Sequence, residues 1–149
     1  MKKQSYAILI ISFIIILDQI TKFFVLRFIG PLDSVEIFSF LHIVNVRNTG
    51  AAFGMFKHFG STFFIIVSIF AIFFVTYLLK KGAYNFIGLS LILGGATGNL
   101  IDRIFYGKVV DFIDFSIGDY HWYTFNIADS ALTVGIIIIL LTSLFGKRL

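Results

Sequence analysis

The chain is 149 residues long, with 58% hydrophobic and 13% charged side chains, no cysteine and a formal net charge of +4. Its mean hydropathy of +0.97 is too high for a water-soluble domain and reads as an integral membrane protein. The absence of cysteine excludes disulfides, thiolate metal sites and a cysteine nucleophile, and the basic residues flank apolar runs rather than forming the polar stripe of a nucleic-acid binder, so no nucleic-acid partner is expected.

Crossing a hydrocarbon core takes about 20 helical residues. Four apolar stretches meet that length, at roughly 6–29, 61–79, 85–101 and 127–145. Lys2 and Lys3 ahead of the first imitate a signal peptide, but no small-residue cleavage site follows and apolar chain resumes after Lys22, so the stretch is read as a span. Between the first and second spans, outer segment 30–60 contains "SVEIFSFLHIVNVRN", whose β-branched and aromatic residues favour short strands. The second outer segment, 102–126, contains "VVDFIDFSIGDYHWYTFN", where Gly118 and Asp119 separate two such runs and predict a hairpin. The fold class that follows is an all-α membrane bundle of four transmembrane helices carrying a small extracytoplasmic β-rich hairpin element, built as a single domain over 1–149.

An even number of spans puts both termini on one side. Lys2, Lys3, Lys80, Lys81, Lys147 and Arg148 then share that side, which the positive-inside rule makes cytoplasmic. The bases alone do not decide it, because Lys22, Arg27, Arg47, Lys57, Arg103 and Lys108 fall in the other half. The acids are one-sided: Asp18, Asp33, Glu36, Asp102, Asp111, Asp114, Asp119 and Asp129 all lie in the outer half. Small residues in the third and fourth spans, Gly94 with Gly98 and Ala131 with Gly135, allow close helix approach.

Several polar groups stand where lipid or its interface is expected. Asp18 and Lys22, four apart on one helical face, suit an ion pair that either clamps the helix or serves a site. Arg47 and Asn48 in "NVRNTGAAFG" precede a turn of small residues. Asn99 and Asp102 share a face at the end of the third span, with Arg103 beside them; adjacency suggests that Arg103 pairs with Asp102. Asn126 and Asp129 repeat the spacing where the fourth helix opens, a pattern that helix capping alone also explains.

Asp111, between valines and phenylalanine, has no capping duty, and burial raises its pKa. Brought beside Asp129 it would share one proton, the arrangement that lets one carboxylate activate water and the other protonate a leaving amine. Metal hydrolysis is a poorer match because His42, His58 and His121 are scattered, so neither a metal nor another cofactor is expected. A serine with Lys22 as base is disfavoured by Asp18, which occupies that lysine. An ion or proton transporter is the competing class; it calls for polar residues through the full membrane depth, whereas the inner halves of the spans carry only isolated serines and threonines.

These residues resemble the lipoprotein signal peptidases, the type II signal peptidases, in five stretches taken in order: "DQITK", "VRNTGAAFG", "GGATGNLIDR", "VVDF" and "FNIADS". The resemblance implies four transmembrane helices with cytoplasmic ends, an extracytoplasmic β-cradle, and cleavage of the signal peptide immediately before a diacylglyceryl-modified cysteine. It puts the catalytic pair on Asp111 and Asp129. Asn48, Asn99, Asp102, Arg103 and Asn126 match positions that shape the site and hold substrate, and Asp18 and Lys22 match the first motif. It also implies an aspartic endopeptidase of the bacterial cytoplasmic membrane, expected as a monomer, whose partners are the lipid-modified prolipoprotein and membrane lipid. The chain departs from many members at Tyr123 and Thr124, where a proline commonly stands ahead of "FN".

Overall fold

The computed structural model describes residues 2–50, 60–118 and 120–146. Residues 51–54 of the second motif, Lys57, His58, Asp119, Lys147 and Arg148 lie outside these. Four long helices are described: α1 (Lys2–Phe28), α2 (Gly60–Lys81), α3 (Phe86–Tyr106) and α4 (Ile127–Phe145). Three of them, α1, α2 and α4, are long and apolar enough to cross a membrane. Helix α3 is less apolar because Gly94, Gly95, Gly98, Asn99, Asp102 and Arg103 replace aliphatic side chains along it.

That composition follows from where α3 sits. It packs against α1, α2 and α4 together, so its faces meet protein and need small residues rather than lipid-facing bulk. A Cβ on Gly98 would meet Asp18 Oδ2 at 2.6 Å, and one on Gly135 of α4 would meet the Gly88 carbonyl oxygen at 2.7 Å. In α2 the opposite holds: among its described residues only Phe64 is buried, and Ile66, Phe70, Phe73 and Phe74 face outward as lipid-facing side chains do. The third helix runs beyond the expected end near residue 101 and stops at Gly107, whose φ of 69° and N–H bond to the Arg103 carbonyl close the last turn. It continues because Asp102 and Arg103 find partners inside the protein and do not have to mark a helix end.

The two outer segments supply strands β1 (Ser34–Phe38), β2 (Leu41–Asn48), β3 (Val109–Ile117) and β4 (Tyr120–His121). They form one antiparallel sheet in the order β1-β2-β3-β4. The predicted hairpin is β3–β4: Ile117 pairs with Tyr120, and Gly118, at φ 61°, takes the positive-φ position of the turn. Strand β2 runs against β3 with Val46 opposite Asp111 and a bulge between Ile43 and Val46. Inside that bulge the Asn45 amide donates to the Ile29 carbonyl at 2.8 Å, tying the sheet to the end of α1. A small core of Val25, Val110 and Phe112, joined by Leu26, Ile29, Ile43, Ile113 and Ile127, fills the junction of α1, the sheet and the start of α4. Burial of these side chains fixes β3, and with it Asp111, against the helix bundle.

Candidate active site

The site is assembled from the chain's polar exceptions, beginning with Lys22. Its ammonium lies 2.8 Å from Asp18 Oδ2, one turn earlier on α1, and 2.8 Å from Asp102 Oδ2 on α3. Its third contact is the Asn99 side-chain oxygen, to which it donates at 3.1 Å. Asp18, Lys22 and Asp102 are all at most 2% exposed, and an unpaired ion in such a setting costs several kcal/mol. The carboxylates are satisfied further by backbone: Asp18 Oδ1 accepts from the Ala128 N–H at 2.9 Å and Asp102 Oδ2 from the Val110 N–H at 3.0 Å. Asp18 thereby caps the first turn of α4 from another helix, while Asp102 holds the start of β3, one residue before Asp111.

Two amide side chains extend this frame. Asn126 is the N-cap of α4, its oxygen accepting from the Asp129 N–H at 2.9 Å. That fixes its nitrogen on the other side, where it donates to Asp111 Oδ1 at 2.7 Å and to Asn99 Oδ1 at 3.2 Å. Asn99 in turn donates to Asp129 Oδ1 at 2.7 Å. From β2, Asn48 donates to Asp111 Oδ2 at 3.0 Å. Asp111 and Asp129 thus come from a strand and a helix N-terminus, are linked through Asn126 and Asn99, and line one cleft of about 650 Å³. Burial first, and then the Asp129 charge, push Asp111 up to about 6 against the hydrogen bonds from Asn48 and Asn126. A carboxyl titrating there is poised for proton exchange near neutral pH.

The family profile described as signal peptidase (SPase) II matches residues 10–145. The chain belongs to the signal peptidase II family. It is 47% identical over 128 residues to the lipoprotein signal peptidase of Thermodesulfovibrio yellowstonii, covering 86% of this chain and 87% of that one. The lipoprotein signal peptidase of Staphylococcus aureus strain Newman is 44% identical over 142 residues, covering 93% and 87%. Among solved structures, a bacterial membrane enzyme determined by the in meso method at 1.9 Å superposes with a TM-score of 0.85 at 40% identity, over 96% of this chain and 94% of the other. Another, at 2.3 Å, gives a TM-score of 0.87 at 41% identity, over 94% and 88%. As a member of this family the chain is a peptidase and a multi-pass membrane protein.

All nine residues singled out in the sequence converge on this one region of the peptidase. Asp111, Asp129, Asn48, Asn99 and Arg103 line the cleft, while Asp18, Lys22, Asp102 and Asn126 lie behind it as its frame. One pairing differs from expectation. Asp102 engages Lys22, and Arg103 turns the other way, donating to the Gly50 carbonyl at 3.1 Å with its guanidinium 5.2 Å from the Phe64 ring centroid. Consecutive residues on a helix point about 100° apart, so sequence neighbours make poor partners.

Sequence reasoning missed Gln19. Its amide donates to Asp102 Oδ1 at 3.0 Å, to Asp18 Oδ2 at 3.2 Å and to the Gly98 carbonyl at 3.2 Å, closing the frame between α1 and α3. The available signal was an uncharged polar residue beside Asp18 in an otherwise apolar run. Also missed was the cleft wall from Trp122 to Phe125. The Phe125 N–H donates to the Ile113 carbonyl at 3.1 Å and its carbonyl accepts from the Ile113 N–H at 2.8 Å, so this connector is stitched to β3. Among the described residues, no three His, Asp or Glu side chains are grouped to hold a metal ion.

Proposed function

We propose that the protein is an aspartic endopeptidase that removes the signal peptide from diacylglyceryl-modified prolipoproteins, cutting on the amino side of the lipidated cysteine. The observation that carries this reading is the meeting of Asp111 and Asp129 in one cleft, each oriented by amide donors rather than neutralised by a cation. In the proposed reaction the ionised carboxylate takes a proton from water as the oxygen attacks the scissile carbonyl. The protonated partner then gives its proton to the leaving amine nitrogen, and the products are a signal-peptide carboxylate and a free α-amine on the modified cysteine. Arg103, at the cleft, supplies positive charge near the developing oxyanion.

The topology proposed with it has four transmembrane helices in one domain, α3 being the fourth and screened from lipid by the others. Both termini are then cytoplasmic, the sheet lies at the outer surface of the cytoplasmic membrane, and the cleft opens near the outer leaflet, where a lipid-anchored substrate presents its bond. A monomer suffices for this chemistry, since both carboxylates come from one chain. The ion-transport alternative is not favoured, because the family and its named relatives are peptidases. The test is incubation of purified protein with a diacylated prolipoprotein. A product shortened by the signal peptide is expected, with none from the unlipidated precursor, and equal cleavage of both would remove the proposed substrate class.

A further inference from the structure

We propose that Lys22 is a positioning residue of the Asp111–Asp129 pair, acting through Asn99 to hold in place the amide donors that reach the two carboxylates. The inference rests on the aspartic reading above and goes beyond it in assigning work to a cation that never touches the cleft. Lys22 is 2% exposed and does not line the cavity, so a contact with substrate is excluded as its role.

The chain of donors has only one consistent direction. An ammonium donates and cannot accept, so the Asn99 atom 3.1 Å from Lys22 Nζ is its oxygen. The other end of that amide is therefore its NH₂ group, which lies 2.7 Å from Asp129 Oδ1. The same Asn99 oxygen also accepts from Asn126 at 3.2 Å, and this nitrogen donates to Asp111 Oδ1 at 2.7 Å. A flipped Asn99 would turn its oxygen on Asp129 and its NH₂ on both the Asn126 NH₂ and the Lys22 ammonium, so the cation and the capped Asn126 oppose the flip together. The buried cation thereby reinforces the donor to Asp129 and, through the shared Asn99 oxygen, the seat of the Asn126 amide that reaches Asp111. Asp18 and Asp102, each 2.8 Å away, hold the ammonium on the Asn99 side.

A purely structural cation would neutralise Asp18 and Asp102 and nothing more, and a double-mutant cycle on turnover separates the two roles. Lys22→Met keeps the stem and removes the donor. Its kcat on a diacylated prolipoprotein is expected to fall on the order of 10- to 100-fold, as small misplacements of reacting groups do, with KM within about twofold. In an Asn99→Leu background, where there is no amide left to orient, adding Lys22→Met should lower kcat by less than about twofold. Independent losses that multiply, a change confined to KM, or wild-type kcat in Lys22→Met would each overturn the proposal. If Lys22→Met does not fold, the cycle is repeated on Asp18→Asn, which leaves fewer buried carboxylates without the cation. Failure to fold there as well assigns Lys22 a purely structural role and overturns positioning. Asp111→Asn runs alongside: its inactivity with an unaffected Lys22→Met refutes only this proposal, whereas its activity refutes the aspartic reading beneath it.

Discussion

Replacing Asp111 by asparagine tests the chemistry and the electrostatics at once. Asp111 is 1% exposed, and its carboxyl is lifted from 3.8 to about 6 by burial and by the charge of Asp129. At about 1.4 kcal/mol per pH unit, that lift corresponds to roughly 3 kcal/mol of strain in the ionised folded state. Between pH 3.8 and 6 the folded chain holds a proton that the unfolded chain has released, so stability falls as pH rises through this window and levels off above it. About 2 kcal/mol of the effect falls between pH 4.5 and 7.5. Asp111→Asn removes this dependence but places an amide donor against Asn48 or Asn126, both of which already donate to Asp111. Its absolute stability is therefore offset by a pH-independent amount, and the informative quantity is the slope. Reversible unfolding in mixed micelles at several pH values should show the wild type losing about 2 kcal/mol more than the variant between pH 4.5 and 7.5. Turnover of a diacylated prolipoprotein should fall roughly 10²- to 10⁴-fold, the usual contribution of a general acid–base group. Parallel pH slopes would refute the buried, repelled carboxyl, and near wild-type turnover would refute its role in catalysis.

Asp129→Asn should lose turnover to a similar extent while retaining its melting transition in detergent, since Asn126 caps the Asp129 backbone N–H and not its side chain. Asn126→Ala removes that cap, worth about 1 kcal/mol, together with a donor to Asp111; unfolding and turnover measured on one preparation should both deteriorate. Gly98→Ala drives a Cβ to 2.6 Å from Asp18 Oδ2 and should destabilise the fold by about 1–3 kcal/mol, and an unchanged melting temperature would deny the close packing of α1 on α3. The chain has no cysteine, so single cysteines at the exposed Ala83 and Ile117 report topology cleanly. An impermeant thiol reagent applied to intact spheroplasts should label the second and not the first.

The helices and strands were legible because each has a local cause. Long aliphatic runs mark α1, α2 and α4, and β-branched and aromatic residues mark β1, β2 and β3. The Asp18–Lys22 pair could be read because i,i+4 residues meet on a helix, and the Asn126 cap because capping is set by the next three residues. The partner of Asp102 was not legible. Its position depends on how closely α1 approaches α3, which is decided by the missing side chain of Gly98 and by packing along the whole length of both helices. Gln19 was hidden for the same reason: its three acceptors include two from α3. The wall from Trp122 to Phe125 depends on pairing of Phe125 with Ile113 across a connector that carries little pattern of its own.

The charge balance explains why a buried lysine so near the cleft leaves Asp111 difficult to ionise. Lys22 carries one positive charge and is already outnumbered by Asp18 and Asp102, both in direct contact with it. Among the influences on Asp111 its attraction accordingly ranks below burial, Asp129 and the two amides. Had the frame instead placed a free cation beside Asp111, an ion pair would have formed and the carboxyl would titrate far below neutral pH, unable to trade a proton with substrate. Amides orient a carboxylate without neutralising it. A frame that consumes its own cation and offers amide donors to Asp111 and Asp129 therefore aims both carboxylates while Asp111 stays buried and still able to hold a proton.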